Sequence, residues 1–199
     1  MRVLGIDPGT RFTGYGVVEQ RGRQLTHLGH GVIRLDAGAP LEQRLADLFA
    51  GLTSAADLFR PDVVAVEGVF TFKNARSALV LGHARGVALL VAAQRALPVH
   101  EYPPAKVKKS VGAGGASDKD AVSRMVRTFL GLGAAPERAD ASDALAVAIC
   151  HLNHARRLPA ATGRMRSNAR TAARGFAALA GRMRPAYERP VAASAEEDL

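Results

Sequence analysis

Cysteine is nearly absent from these 199 residues: the one thiol, Cys150, stands in the apolar run 144–150. A lone cysteine has no partner in its own chain for a disulfide and no companions for a zinc site, so packing is its expected role. Tryptophan is missing and aromatics make up 5% of the chain, which leaves aliphatic side chains to build the core. No unbroken run approaches the ~18 apolar residues of a membrane span. The N-terminus lacks the basic flank, apolar stretch and small-residue cleavage site of a signal peptide, and a cytoplasmic protein is the expectation. Acids are scarce relative to bases: 18 Asp and Glu against 27 Lys and Arg give a formal net charge of +9. Such a surplus favours an anionic partner, nucleic acid first, and says nothing by itself about chemistry.

What is present reads as one domain over residues 1–155 and a basic, Arg-rich extension over 156–199. The extension holds nine arginines and one acid, Glu188, between Arg156 and Arg189, and its composition predicts partial disorder. Within the domain, residues 2–6, 14–20 and 27–35 read as strands joined by short turns, an antiparallel meander. Apolar residues at helical spacing from Leu41 to Leu52 predict a helix ending before Pro61. The wholly apolar Val63-Val64-Ala65-Val66 predicts a buried parallel strand. A helix over 74–96, a strand over 98–102 and helices over 118–131 and 140–155 follow, with Ser117 placed to cap the helix over 118–131. Meander strands followed by alternating helix and strand imply an α/β fold with a mixed sheet, five strands in all, flanked by helices. A right-handed crossover then sets the fourth strand parallel beside the first.

That arrangement gives two acids a common address. The first strand runs into Asp7 and the fourth into Glu67, so both carboxylates fall at the C-terminal ends of adjacent parallel strands, where ligand sites tend to form. Asp7, before Pro8-Gly9, also suits a turn former. Glu67 directly follows four apolar residues and is poorly placed for solvation. Asp140 and Asp143 open the last helix three residues apart, on one face. Acids in a first helical turn favour the macrodipole, and Asp140 also suits an N-cap. Asp143 shares its face with Val147, which should meet the sheet, and a carboxylate there needs a counter-charge. Hard divalent cations would supply it. Four carboxylates with no useful cysteine suit Mg²⁺ or Mn²⁺ better than Zn²⁺, and a pair of such ions is the arrangement that hydrolyses phosphodiesters. His151 and His154 share a face of the same helix two turns beyond Asp143 and read as packing or surface residues.

The stretches GIDPGTRFTGYGVV, AVEGVFTFKNARSALVLGHARGVAL, EYPPAKVKKSVGAGGASDKDAV and DASDALAVAICH, in this order, resemble the RuvC family of Holliday-junction resolvases over residues 2–154. The resemblance implies an RNase H-like fold, a homodimer, Mg²⁺-dependent cleavage of four-way DNA junctions in recombination and repair, and cooperation with RuvA and RuvB. It places the catalytic, metal-binding acids on Asp7, Glu67, Asp140 and Asp143. Lys108 and Lys119 are similar to the family's basic positions near the scissile phosphate, and Lys106 and Lys109 are expected to add field to that edge. Phe70, just past Glu67, is placed to stack on an unpaired base. Two departures stand out: Gly68 and His83 occupy positions where the family commonly has Gln.

A resolvase must cut two strands symmetrically, and the helix from Asn74 offers a reason. Ala78, Gly82, Gly86 and Leu90 fall four apart, a small-residue seam along which a twin helix could approach, and a two-fold dimer over it is expected. Other readings stay open. GIDPGT also resembles the first phosphate motif of actin-like and sugar-kinase ATPases, but the second Asp-Gly motif has only Asp36-Ala37-Gly38 as an imitation, with no room for a second lobe. An RNase H-like nuclease on another nucleic acid, a catalytically idle junction-binding relative and a plain nucleic-acid binder complete the alternatives.

Overall fold

The computed structural model describes residues 1–68, 75–113 and 120–156. Phe70, Lys119, Ser117 and the extension beyond Arg156 lie outside these described residues. Ten elements follow in chain order: β1 (Arg2–Asp7), β2 (Phe12–Arg21), β3 (Gln24–Arg34), α1 (Leu41–Phe59), β4 (Val63–Glu67), α2 (Ala75–Gln94), β5 (Val99–Tyr102), α3 (Pro104–Ser110), α4 (Ala121–Leu130) and α5 (Ala139–Ala155). The sheet runs β3-β2-β1-β4-β5, antiparallel through the meander and parallel from β1 to β5. This is the expected five-stranded mixed sheet, with β4 beside β1.

Side chains alternate across each strand, so the sheet has two cores. Leu4, Ile6, Val17, Val64 and Val66 face α1 and α2. Val3, Val18, Val63 and Ala65 face the other way, against α5 with α3 and α4. By that same parity Asp7 and Glu67 fall on the α5 side. The β1–β4 register reaches Ile6 against Val66, and one residue further it sets Asp7 beside Glu67.

Helix α5 is buried almost without interruption from Ala141 to Leu152. It lies unusually close to the sheet because the strands beneath it carry glycine. A Cβ on Gly5 would come within 2.1 Å of the Ala144 carbonyl oxygen, and one on Gly14 within 1.9 Å of the Asp140 carbonyl oxygen. Cys150 sits in this core with 1% exposure, as expected of a packing residue.

Three features depart from the sequence expectations. First, α3 is a short helix where no element was anticipated; Pro104 sits in its first turn, where a missing N–H costs nothing, and Ala105 to Lys109 are mostly good helix formers. Second, α4 opens at Ala121 after Asp120. Third, α2 is by length and composition apolar enough to cross a membrane, a property hidden from a search for unbroken apolar runs by Arg76, His83 and Arg85. Only Ala84, Ala88, Val91 and Ala92 of α2 are buried, in the core shared with α1, while Leu79 and Leu90 stand out from the surface.

Candidate active site

Three elements deliver the acids to one place. β1 ends in Asp7, β4 in Glu67, and the first turn of α5 brings Asp140 and Asp143 down on them, since Gly14, the ladder partner of Asp7, lies directly under Asp140. The electrostatics record the convergence. Burial, followed by the charges of Glu67 and Asp143, pushes the Asp7 carboxyl far above the ordinary carboxylate range, and Asp140 adds to the effect. Burial also raises Glu67 and Asp143, the latter further by Asp140. The Asp7 and Glu67 carboxyls are close enough to interact directly, Glu67 raising Asp7 both by its charge and by hydrogen bonding.

Two basic residues answer this charge from different directions. Lys108, on α3, lowers both Glu67 and Asp143. At the start of α5, Arg138 donates from Nε to Oδ2 of Asp140 at 3.2 Å, and a terminal guanidinium nitrogen stands 3.1 Å from the same oxygen in an ion pair. Lys106 and Lys109 turn elsewhere: with Ser110, Cys150, Asn153 and His154 they line a hollow of about 350 Å³ between α3 and the C-terminal half of α5. Lys106 also reaches over the Tyr102 ring, 5.1 Å from its centroid. The field of α3 on the acids therefore comes from Lys108.

The donor set is oxygen only, clustered and short of positive charge, which suits hard divalent cations. Among the described residues no three His, Cys, Asp or Glu side chains form a ready-made metal cage. Mg²⁺ does not require one, since it keeps several waters and takes one or two carboxylates. The residues present fit such ions.

Sequence reasoning missed Arg138 and Phe12, whose stacked contact has no local signature, and the buried pair Tyr102 and His151. The Tyr102 hydroxyl and Nδ1 of His151 lie 2.8 Å apart, and the His100 ring is 4.7 Å from that of His151. The sequence left His151 and His154 open between packing and surface roles; His151 is buried, at 5% exposure. Along α2, a Cβ on Gly82 or Gly86 would meet nothing within 4 Å. These glycines, with Ala78 and Leu90, line an open hollow of about 630 Å³ on the outer face of the helix.

Comparison with known proteins agrees with this geometry. A family model described as crossover junction endodeoxyribonuclease RuvC matches residues 3–151. The crossover junction endodeoxyribonuclease RuvC of Myxococcus xanthus is 65% identical over 196 residues, covering 96% of this chain and all of that protein. The structure of Thermus thermophilus RuvC in complex with a Holliday junction substrate superposes with a TM-score of 0.72 at 34% identity, covering 78% of this chain and 96% of that one. The yeast mitochondrial Holliday junction resolvase, at 14% identity and a TM-score of 0.54 over 90% of this chain and 83% of its own, shares the fold. An RNase H-like sheet, four acids gathered at one edge of it and a family match across the whole described domain lead to one assignment: this chain belongs to the RuvC family of crossover junction endodeoxyribonucleases.

Proposed function

We propose that this protein is a homodimeric, structure-specific endonuclease that resolves four-way (Holliday) DNA junctions by paired, symmetric nicks in recombination and DNA repair. The observation that carries this reading is the meeting of Asp7 and Glu67, at the ends of two parallel strands, with Asp140 and Asp143 from α5.

Asp7 lies at the centre of the cluster and is the ligand that two cations would share, with Glu67, Asp140 and Asp143 completing the two sites. Mg²⁺ is the proposed ion, with Mn²⁺ able to replace it. When bound, such ions supply a polarised phosphodiester and a water of lowered pKa. Everything else is the task of the chain. The carboxylates fix the site at the sheet edge, Lys108 offers positive charge where a phosphate would arrive, and the buried α5 holds Asp143 in place. In-line attack by water, with the 3′ oxygen leaving, gives a 5′-phosphate and a 3′-hydroxyl that a ligase can seal.

The bare face of α2 is the proposed two-fold contact. Ala78, Gly82, Gly86 and Leu90 leave room for a twin helix, and a closed two-fold would present two acid clusters to one junction. Phe70, Lys106, Lys109 and Lys119 remain proposed DNA contacts. A folded domain over 1–155 followed by a basic extension over 156–199 remains the proposed organisation. RuvA and RuvB are proposed partners, and the cytoplasm the proposed location, on the strength of the family alone.

The test is cleavage of a synthetic four-way junction beside a linear duplex of the same sequence, with Mg²⁺, Mn²⁺ or EDTA. Metal-dependent paired nicks confined to the junction are expected. Binding without cleavage under either metal would favour an idle relative, and cutting of the duplex as readily as the junction would favour a nuclease for another substrate.

A further inference from the structure

Arg138 occupies the N-cap position of α5, and it is the wrong residue for that position on two counts. It has extended backbone dihedrals and makes no side-chain cap hydrogen bond, where Ser, Thr, Asp or Asn would satisfy an orphan N–H. It also places a cation at the positive end of the helix macrodipole. A residue that breaks local rules without a local gain points to a function elsewhere. Here the side chain turns to Asp140: Nε donates to Oδ2 and a terminal nitrogen pairs with the same oxygen, so that among the described residues the guanidinium engages Oδ2 and leaves Oδ1 for another partner. Its guanidinium carbon lies 3.7 Å from the centroid of the Phe12 ring, a stacked contact.

Phe12 is a firm platform. It opens β2 and pairs with Arg34 in the ladder, and the Leu35 N–H donates to the Arg11 carbonyl at 2.8 Å. The loop before it is closed by the buried Thr13, which exchanges hydrogen bonds with the Gly9 backbone, and is tied to α1 by Arg44 donating to the Thr10 carbonyl. Arg138 is thus held from below by an aromatic ring on the sheet and holds, in turn, one oxygen of Asp140.

We propose that Arg138, braced on Phe12, is a positioning residue that orients Asp140 so that its free oxygen faces a divalent cation in the acid cluster. This inference rests on the reading of that cluster as a cation site. Two effects oppose each other at this position. A guanidinium that fixes a ligand raises the affinity of a site, and loss of such a partner typically costs about 10- to 100-fold. A positive charge merely lying nearby repels the cation, and its removal would tighten binding. The sign of the change separates the two.

The experiment is titration of the full-length protein with Mn²⁺ in the absence of DNA, following the free aquo ion by electron paramagnetic resonance, with thermal melts as a check on folding. Arg138→Ala is expected to weaken Mn²⁺ binding by about 10-fold. Phe12→Leu, which removes the stacking face and keeps the bulk, should weaken it in the same direction. Arg138→Lys restores charge but neither the fork nor the flat face, and should stay closer to Arg138→Ala than to the wild type. Binding by Arg138→Ala as tight as wild type, or tighter, would overturn the proposal. If Arg138→Ala fails to melt cooperatively, wild-type affinity in Arg138→Lys and Phe12→Leu overturns it equally. Asp7→Asn reports on the underlying reading: if it binds Mn²⁺ as the wild type does, the acid cluster is not the cation site, and the proposal falls for that separate reason.

Discussion

Gly14 lies under Asp140 so closely that a single added methyl group would sit 1.9 Å from the Asp140 carbonyl oxygen. Because Gly14 is also the ladder partner of Asp7, the absence of its side chain sets the spacing between two acids of the cluster.

Gly14→Ala should therefore act on both stability and chemistry. The first turn of α5 must lift off the sheet, and overpacking of this kind costs roughly 1–3 kcal/mol. Junction cleavage should fall by more than the melting temperature suggests, since Asp140 and Asp143 move together relative to Asp7. Gly133→Ala is the control, because a methyl there meets nothing within 4 Å. Differential scanning calorimetry and single-turnover cleavage read the two effects; equal activity in both variants would separate the Gly14 contact from the site.

Asp7 carries a pH dependence of definite sign. Its carboxyl is pushed up to about 9 by burial and by Glu67 and Asp143, whereas in the unfolded chain it ionises near 3.8. The folded protein then binds more protons than the unfolded chain between those values, so this group's contribution to stability is full below pH 3.8 and is lost as pH rises through about 9. In EDTA, wild-type melting temperature should fall with pH across that window relative to Asp7→Asn, which has no proton to lose. Asp7→Asn should also abolish junction cleavage while preserving or tightening DNA binding, because it removes negative charge facing phosphate. Parallel melting curves for the two proteins, or simultaneous loss of binding and cleavage, would instead mark Asp7 as a folding residue.

Much of this site was legible in the sequence because it follows from strand parity. Alternation along Val3-Leu4-Gly5-Ile6-Asp7 and Val63-Val64-Ala65-Val66-Glu67 sends both acids to one face, and the i, i+3 pair Asp140 and Asp143 needed only a helix on that face. What escaped depends on distances between segments far apart in the chain. No local pattern says that Gly5 and Gly14 are bare to admit the backbone of α5, that Arg138 stacks on Phe12 from 126 positions away, or that Tyr102 bonds His151. α3 escaped for a local reason: Pro103-Pro104 reads as a breaker unless the second proline is taken as a helix start. Within α3, Lys106 and Lys109 stand three apart and share the face that lines the hollow beside Cys150, while Lys108 acts on Glu67 and Asp143.

His151 gives a second pH effect, opposite in sign. Burial, with the nearby His100 and His154, pushes its imidazole down to about 4, from 6.5 in the unfolded chain. Between those values the unfolded chain binds the extra proton, so stability rises with pH across the window and is lost as pH falls through it. NMR titration should show the His151 ring neutral down to about pH 4. A ring that protonates near 6.5 would mean that the Tyr102 contact is open to water.

The outer face of α2 yields the most direct test of assembly, because the fold itself does not need it bare. Gly82 has open space around it, so Gly82→Leu should leave the monomer intact, and a helix former replacing glycine should even favour α2 locally. Against a twin helix the same leucine would force the axes apart. Sedimentation velocity should show wild type as a dimer and Gly82→Leu shifted toward monomer, with an unchanged circular dichroism spectrum. On a four-way junction the variant should then lose paired nicks, since a monomer carries one acid cluster and cuts one strand at a time. A Gly82→Leu protein that sediments as a dimer would place the two-fold elsewhere and leave Leu79 and Leu90 to be covered by something other than a second α2.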